Sequence, residues 1–233
     1  MQKKSKQKIM ATPHIKTKDE IDRLRESCQG LALVLREVLA AAAPGVSTLE
    51  LDELAERLIR EKGGIPIFKG YGAGSGTPFP ATVCSSINDE VVHGIPSKDR
   101  VLKEGDILKI DIGMRYRGMV SDMARTIGIG TISDEAARLL RVTEESLLAG
   151  IEALRPGVKV MQYAEAVQRV AEGAGYGVVR DLVGHSVGHE LHEELQVPNY
   201  VTRTLPNFTV QKGMTLALEP MINAGTWQVD LAD

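Results

Sequence analysis

Asp111 closes the apolar run Ile107-Leu-Lys-Ile110, and Glu219 closes another, Leu216-Ala-Leu218. A carboxylate at the end of such a strand is drawn toward the interior, where an unpaired ion is very costly. A single case is ordinarily explained by a salt bridge or a helix cap. Two at matching places ask for a common partner. Carboxylates facing one another across a cleft are favourable only with a cation between them. Asp122, in Val120-Ser-Asp122-Met-Ala124, adds a third. Its odd spacing of eleven from Asp111 would put it on the opposite face of a continuous strand. A turn near Arg117-Gly118 makes a hairpin instead and can set the two side by side.

Histidine usage points the same way. Of five histidines, His185, His189 and His192 fall within eight residues, and His93 lies in the turn-rich stretch 88–96. His185 sits between Gly184 and Gly188, which permit close backbone approach. His14 and His189 read as ordinary structural residues. The stretch His189-Glu-Leu-His192-Glu193 lacks the spacing of an H-E-x-x-H zinc helix. Several carboxylates with one imidazole and no thiolate suit Mn, Fe, Co or Zn ions. Such sites commonly take two ions about 4 Å apart that share and activate one water. The implied chemistry is hydrolysis of an amide or ester.

These residues need elements to hold them. Thr17 and Glu20 form a capping box that opens a helix through Ile21, Leu24, Cys28, Leu31, Leu35 and Val38, and Pro44-Gly45 ends it. Ser47 and Glu50 open a second, which stops at Gly63-Gly64. A Gly/Pro-rich loop at 70–80 precedes strand-like runs at 81–86, 106–113 and 119–129. Ser133 then opens a third helix with Leu140, Thr143, Leu147, Ile151 and Leu154 on its apolar face. A fourth follows through Tyr163, Val167 and Val170 and runs out near 173–175. The halves match. Pro44-Gly-Val46 recurs 112 positions later as Pro156-Gly-Val158, and Gly105 to Asp111 recurs at an offset of 108 as Gly213 to Glu219. The expectation is a duplicated helix–helix–strand unit in an α/β fold.

The chain has 233 residues, 43% of them hydrophobic, and a net charge of −3. That apolar content excludes disorder, and two cysteines, Cys28 and Cys84, exclude a disulfide scaffold. No uncharged apolar run approaches the ~20 residues of a membrane span, so a cytoplasmic protein is expected, without membrane or DNA as partner. Lys3, Lys4, Lys6, Lys8, Lys16 and Lys18 occur in the first 18 residues without an acid. Residues 1–16 therefore read as a flexible basic tail, and 17–233 as a single catalytic domain. The tail has no aromatics for stacking on bases and reads as a solvated leader rather than an RNA-binding arm.

Several segments together resemble the bacterial type I methionine aminopeptidases, metallopeptidases of the pita-bread fold. They are Val83-Cys84-Ser-Ser-Ile-Asn88, His93-Gly-Ile-Pro96, Gly105 to Asp111, Ser121-Asp122, Gly184-His185-Ser-Val-Gly188, His192-Glu193 and Leu218-Glu219-Pro-Met221. The resemblance implies that Asp111, Asp122, His185 and Glu219 ligate two divalent ions (Co, Mn, Fe or Zn). Glu219 would also take a proton from the attacking water. His93 and His192 would hold the scissile amide and steady the oxyanion, while Cys84 and Phe79 line a methionine pocket. The substrates would be N-termini of peptides and nascent proteins, met by a monomer working near the ribosome. Departures from the family pattern are the absence of a second glutamate ligand and a pocket tryptophan, Leu191 in place of an aromatic, and a longer glycine-rich loop after Tyr71. Asp230, eleven after Glu219, reads as an ordinary chain-end residue. The expectation is an incomplete C-terminus, with closing strands missing and a β-edge uncovered. A rival reading is a catalytically impaired module of the same fold that binds protein or RNA. A creatinase-like or proline-specific hydrolase is a third.

Overall fold

The computed structural model describes residues 13–74 and 76–231. Helix α1 (Lys18–Ala41) starts at the expected capping box: Thr17 accepts from the Glu20 N–H, and the Glu20 carboxylate accepts from the Thr17 N–H. It buries Leu24, Ser27, Leu31, Val34, Leu35 and Val38. Helix α2 (Thr48–Glu61) repeats the device with Ser47 and Glu50. Strands β1 (Ile65–Pro66), β2 (Val83–Ile87), β3 (Ile107–Tyr116) and β4 (Met119–Gly128) follow. β4 runs antiparallel along the whole of β3, which leaves the other edge of β3 to β2 and β1. Leu31, Val34, Leu51, Ile59, Leu108, Ile110 and Ile112 pack between these helices and this sheet as the main core.

The second half comprises α3 (Asp134–Ala153), α4 (Met161–Gly173), β5 (Gly177–Val178), β6 (Gly184–Ser186), β7 (Gln196–Val197), β8 (Leu216–Ala217) and β9 (Ile222–Asn223). The duplication holds down to single hydrogen bonds. The Gly45 N–H donates to the Leu102 carbonyl, and the Gly157 N–H to the Val210 carbonyl. The Ser47–Val101 bridge recurs as Lys159–Thr209. The pairs Ile65–Arg115 and Pro66–Met114 recur as Gly177–Asn223 and Val178–Ile222. In every case the first partner moves by 112 positions and the second by 108, the two offsets found in the sequence. The turn glycines Gly45 and Gly157 share a left-handed backbone, with φ of 93° and 96°.

Two expectations need correction. The apolar face of α3 lies one position earlier than predicted: Val142, Ser146 and Gly150 are buried, whereas Ile151 is 45% exposed. Small residues let α4 come close. A Cβ on Gly150 would stand 2.6 Å from the Tyr163 ring, so the contact seam runs along residues that carry no hydrophobic signal. Lys16 is also no part of a solvated tail. Its side chain is fully buried, and Nζ lies 2.5 Å from Glu193 Oε2. Lys3, Lys4, Lys6 and Lys8 lie outside the described residues.

Candidate metal centre

Strands from both halves converge on one cleft. Tyr116 and Met119 close the β3–β4 hairpin across Arg117 and Gly118, whose φ values of 49° and 79° are those of a type I′ turn. Asp111 pairs with Ala124, and Asp122 with Gly113. The two aspartates are therefore diagonal neighbours on one face, with their carboxyl groups in hydrogen-bond reach. From the second half, β6 and β8 pair His185 with Ala217. A Cβ on Gly184 would stand 2.4 Å from the Ala217 carbonyl oxygen and 3.3 Å from Glu219 Cγ. Only glycine allows so close a passage, and it delivers His185 to Glu219.

His185 Nε2 lies 3.3 Å from Asp122 Oδ2 and 3.3 Å from Glu219 Oε1. Its Nδ1 lies 3.1 Å from the Ser186 carbonyl oxygen, which can only accept, so Nδ1 carries a proton. In the neutral ring the bare Nε2 lone pair then faces two carboxylate oxygens. That repulsion is relieved by a second proton or by a cation. Glu219 Oε1 is buried and makes no hydrogen bond. The donor set fits a divalent ion, since a ligating histidine typically donates its other N–H to a carbonyl or carboxylate.

The acid–base balance reflects the same crowding. Burial, then the negative charges of Asp122 and Glu219, pushes the Asp111 pKa well above the carboxylate range. Burial raises Glu219 to about 7, with Asp122 adding to the rise and His185 opposing it. For His185 burial acts downward, but Asp122, Glu219 and the Ser186 carbonyl together outweigh it and raise the pKa. Burial lowers His192, reinforced by His185 and His93. Burial also lowers His93.

His192 stacks at a tilt on His185, with ring centroids 4.2 Å apart. His93 has a φ of 61°, a left-handed conformation uncommon in a residue with a side chain and concentrated at functional sites. Cys84 pairs with Asp111 across β2 and β3, and with Phe79, Phe68, Val120 and Leu191 it forms an apolar patch beside the carboxylates. Burial, then the neighbouring aspartates, pushes its thiol pKa up and holds it protonated. His189 and His14 stand apart with Glu193, and Asp230 is exposed.

Two partners were missed in the sequence pattern. The Tyr71 hydroxyl lies 2.6 Å from His192 Nδ1, presented by a loop whose base is closed by bonds between Gly70 and Phe79 and between Phe79 and Tyr71. Buried Asn199 donates to the Glu219 carbonyl and accepts from the Tyr163 hydroxyl, tying Glu219 to α4. An aromatic beside a glycine-rich loop was the sole hint of the first. Nothing marked the second.

The model of metallopeptidase family M24 matches residues 22–232. The chain is 46% identical to a methionine aminopeptidase of Clostridium acetobutylicum, over 92% of this chain and 84% of that one. It is 45% identical to methionine aminopeptidase 1 of Bacillus subtilis, over 94% and 86%. The crystal structure of the Thermotoga maritima methionine aminopeptidase superposes with a TM-score of 0.89 at 38% identity, covering 95% of this chain and 87% of the other. A Bacillus anthracis Xaa-Pro dipeptidase gives 0.75 at 25% identity, covering 88% of this chain and 54% of the dipeptidase. The fold is the α/β pita-bread fold that the resemblance implied. A duplicated scaffold, a carboxylate–histidine cluster at its seam and relatives of this kind lead to one conclusion: the chain belongs to metallopeptidase family M24.

Proposed function

We propose that the chain is a methionine aminopeptidase that hydrolyses the first peptide bond of proteins and peptides beginning with methionine. One observation carries this reading. His185 is fixed by a carbonyl on one side and aims its other nitrogen between Asp122 and Glu219.

Asp111, Asp122, His185 and Glu219 are the residues that would hold two divalent ions, of the Co, Mn, Fe or Zn group. When bound, such ions polarise the scissile carbonyl and lower the pKa of a bound water. Glu219, set beside His185 at the seam, would accept the proton of the attacking water and return it to the leaving amine. His93 and His192, both kept neutral by burial, donate N–H groups to the oxygen on which negative charge develops. The Tyr71 hydroxyl lies 2.6 Å from His192 Nδ1, and the tautomer this role requires, with the proton on Nε2, makes the hydroxyl the donor. Phe79, Cys84 and Leu191 enclose the apolar, unbranched side chain of the first residue. The initiator methionine of newly made cytoplasmic proteins is the natural substrate of such a site. The relatives are named as aminopeptidases, which does not favour the rival of a non-catalytic binding module.

Incubation with Mn or Co and the peptides Met-Ala-Ser and Ala-Pro tests the proposal. Release of methionine from the first is expected, with the second untouched. Cleavage of Ala-Pro alone would move the chain to the proline-specific branch of the fold.

A further inference from the structure

The loop that carries His192 and the segment before α1 bring together three donor residues, none of them in the cluster of Asp111, Asp122, His185 and Glu219. His14 Nδ1 and His189 Nδ1 each lie 3.7 Å from Glu193 Oε1, and the three residues each offer a donor atom within 4.8 Å of the other two. We propose that His14, His189 and Glu193 form a second divalent-metal site, separate from the catalytic centre, that fastens residues 13–16 to the loop bearing His192.

The tautomer of His189 supports this. Its Nε2 lies 2.8 Å from Glu20 Oε1, and Glu20 is an acceptor whose other oxygen is held by the Thr17 N–H and hydroxyl. The proton therefore sits on Nε2, and the bare Nδ1 looks toward a carboxylate oxygen. A cation between them converts that repulsion into ligation. Carboxylate, imidazole and ion in line is the usual outer-shell arrangement of a histidine ligand. Glu193 is fixed for the purpose. Its side chain is 2% exposed, Lys16 holds Oε2, and the His189 backbone N–H donates to Oε1.

Spacing and chemistry set the class of ion. Tetrahedral zinc with bonds near 2.0–2.1 Å places its ligands about 3.3 Å apart, so each histidine–Glu193 distance of 3.7 Å has to shorten by a few tenths of an ångström to close the site. Two imidazoles and one carboxylate select Zn, Ni or Cu over Mg or Ca. Lys16 offsets part of the Glu193 charge. His14 is half exposed, which leaves the remaining coordination position to water. The ion would tie the segment before α1 to the turn between β6 and β7, three residues from His192. The competing arrangement is a doubly protonated His189 bridging Glu20 and Glu193.

Equilibrium dialysis against Zn2+ separates the two. An Asp111→Asn/Asp122→Asn chain, in which the catalytic centre is weakened, is expected to retain one ion, with two imidazoles in its zinc X-ray absorption spectrum. Adding His14→Ala should weaken uptake by more than tenfold, and Glu20→Gln by about ten- to a hundredfold. Zinc uptake that is absent from the double variant, or unchanged by both His14→Ala and His189→Ala, overturns the site. His14 is exposed, so His14→Ala tests the ligand without threatening the fold.

Discussion

His185 is held at Nδ1 by the Ser186 carbonyl and turns Nε2 toward Asp122 and Glu219, so its removal takes the imidazole out of the proposed ligand set. His185→Ala is expected to lower metal-dependent peptide cleavage by more than the ~10–100-fold that loss of an outer-shell partner costs. His189→Ala should leave cleavage largely intact; equal losses would refute the division of roles between them. Tyr71→Phe removes one hydrogen bond to His192 and is expected to reduce kcat by up to about tenfold. KM should change little if the tyrosine acts through the histidine and not on substrate. The protonation of Glu219 gives a pH-dependent check on metal-free protein. Its pKa rises from an ordinary 4.5 to about 7 in the fold. A carboxyl raised in this way contributes stability that is complete below its unfolded pKa and lost as pH climbs through the folded one. Thermal melts of metal-free Glu219→Gln should therefore gain on the parent between pH 5 and pH 8. A constant difference over that range would show that the carboxyl is not held in a desolvated site. That Asp111, Asp122, His185 and Glu219 come together was legible in the sequence because two carboxylates ending apolar strands, a third across a hairpin and a histidine between glycines are costly placements that need a reason. Tyr71 was not legible, because a loop residue acquires its partner from a path that no periodicity encodes.

Elements decide how firmly those side chains are aimed. The ends of α1 and α2 were readable from Thr17/Glu20 and Ser47/Glu50 because a cap is a local arrangement of a few side chains on their own backbone. The seam of α3 was misplaced by one position because Ser146 and Gly150 serve by being small, which a hydrophobic pattern cannot register. That seam matters to the site. Tyr163, seated against Gly150, bonds Asn199, and Asn199 bonds the Glu219 carbonyl. Tyr163→Phe leaves the fully buried Asn199 side-chain oxygen without its donor, a loss of about 1–3 kcal/mol. At about 2–4 °C per kcal/mol for a chain of this size, the melting temperature should drop visibly. Affinity for the catalytic ions should fall with it, since Glu219 is then less firmly placed. A drop in stability with metal affinity untouched would show that α4 supports the fold but does not aim the ligand.

At the scale of the whole molecule the duplication explains why the centre lies where it does. Each half ends its glycine turn and strand in an acid, Asp111 in one and Glu219 in the other, so bringing the halves together places the acids face to face. Without a counter-charge this seam is unfavourable, since burial and mutual repulsion both act on its carboxylates. Ions seated there would be held by Asp111 and Asp122 from one half and His185 and Glu219 from the other. They would act as a bridge across the seam as well as a reagent. Mn2+ isolates this effect, because an oxygen-rich donor set suits it far better than the imidazole pair at His14 and His189. At a concentration near 100 times its Kd, Mn2+ should stabilise the chain by about 2.7 kcal/mol, a rise of roughly 5–10 °C in melting temperature. The rise should vanish in His185→Ala and shrink in Asp122→Asn, each of which removes a donor from one side of the seam. An equal rise in the parent and in both variants would mean that Mn2+ binds elsewhere and that the facing acids are joined by a proton instead.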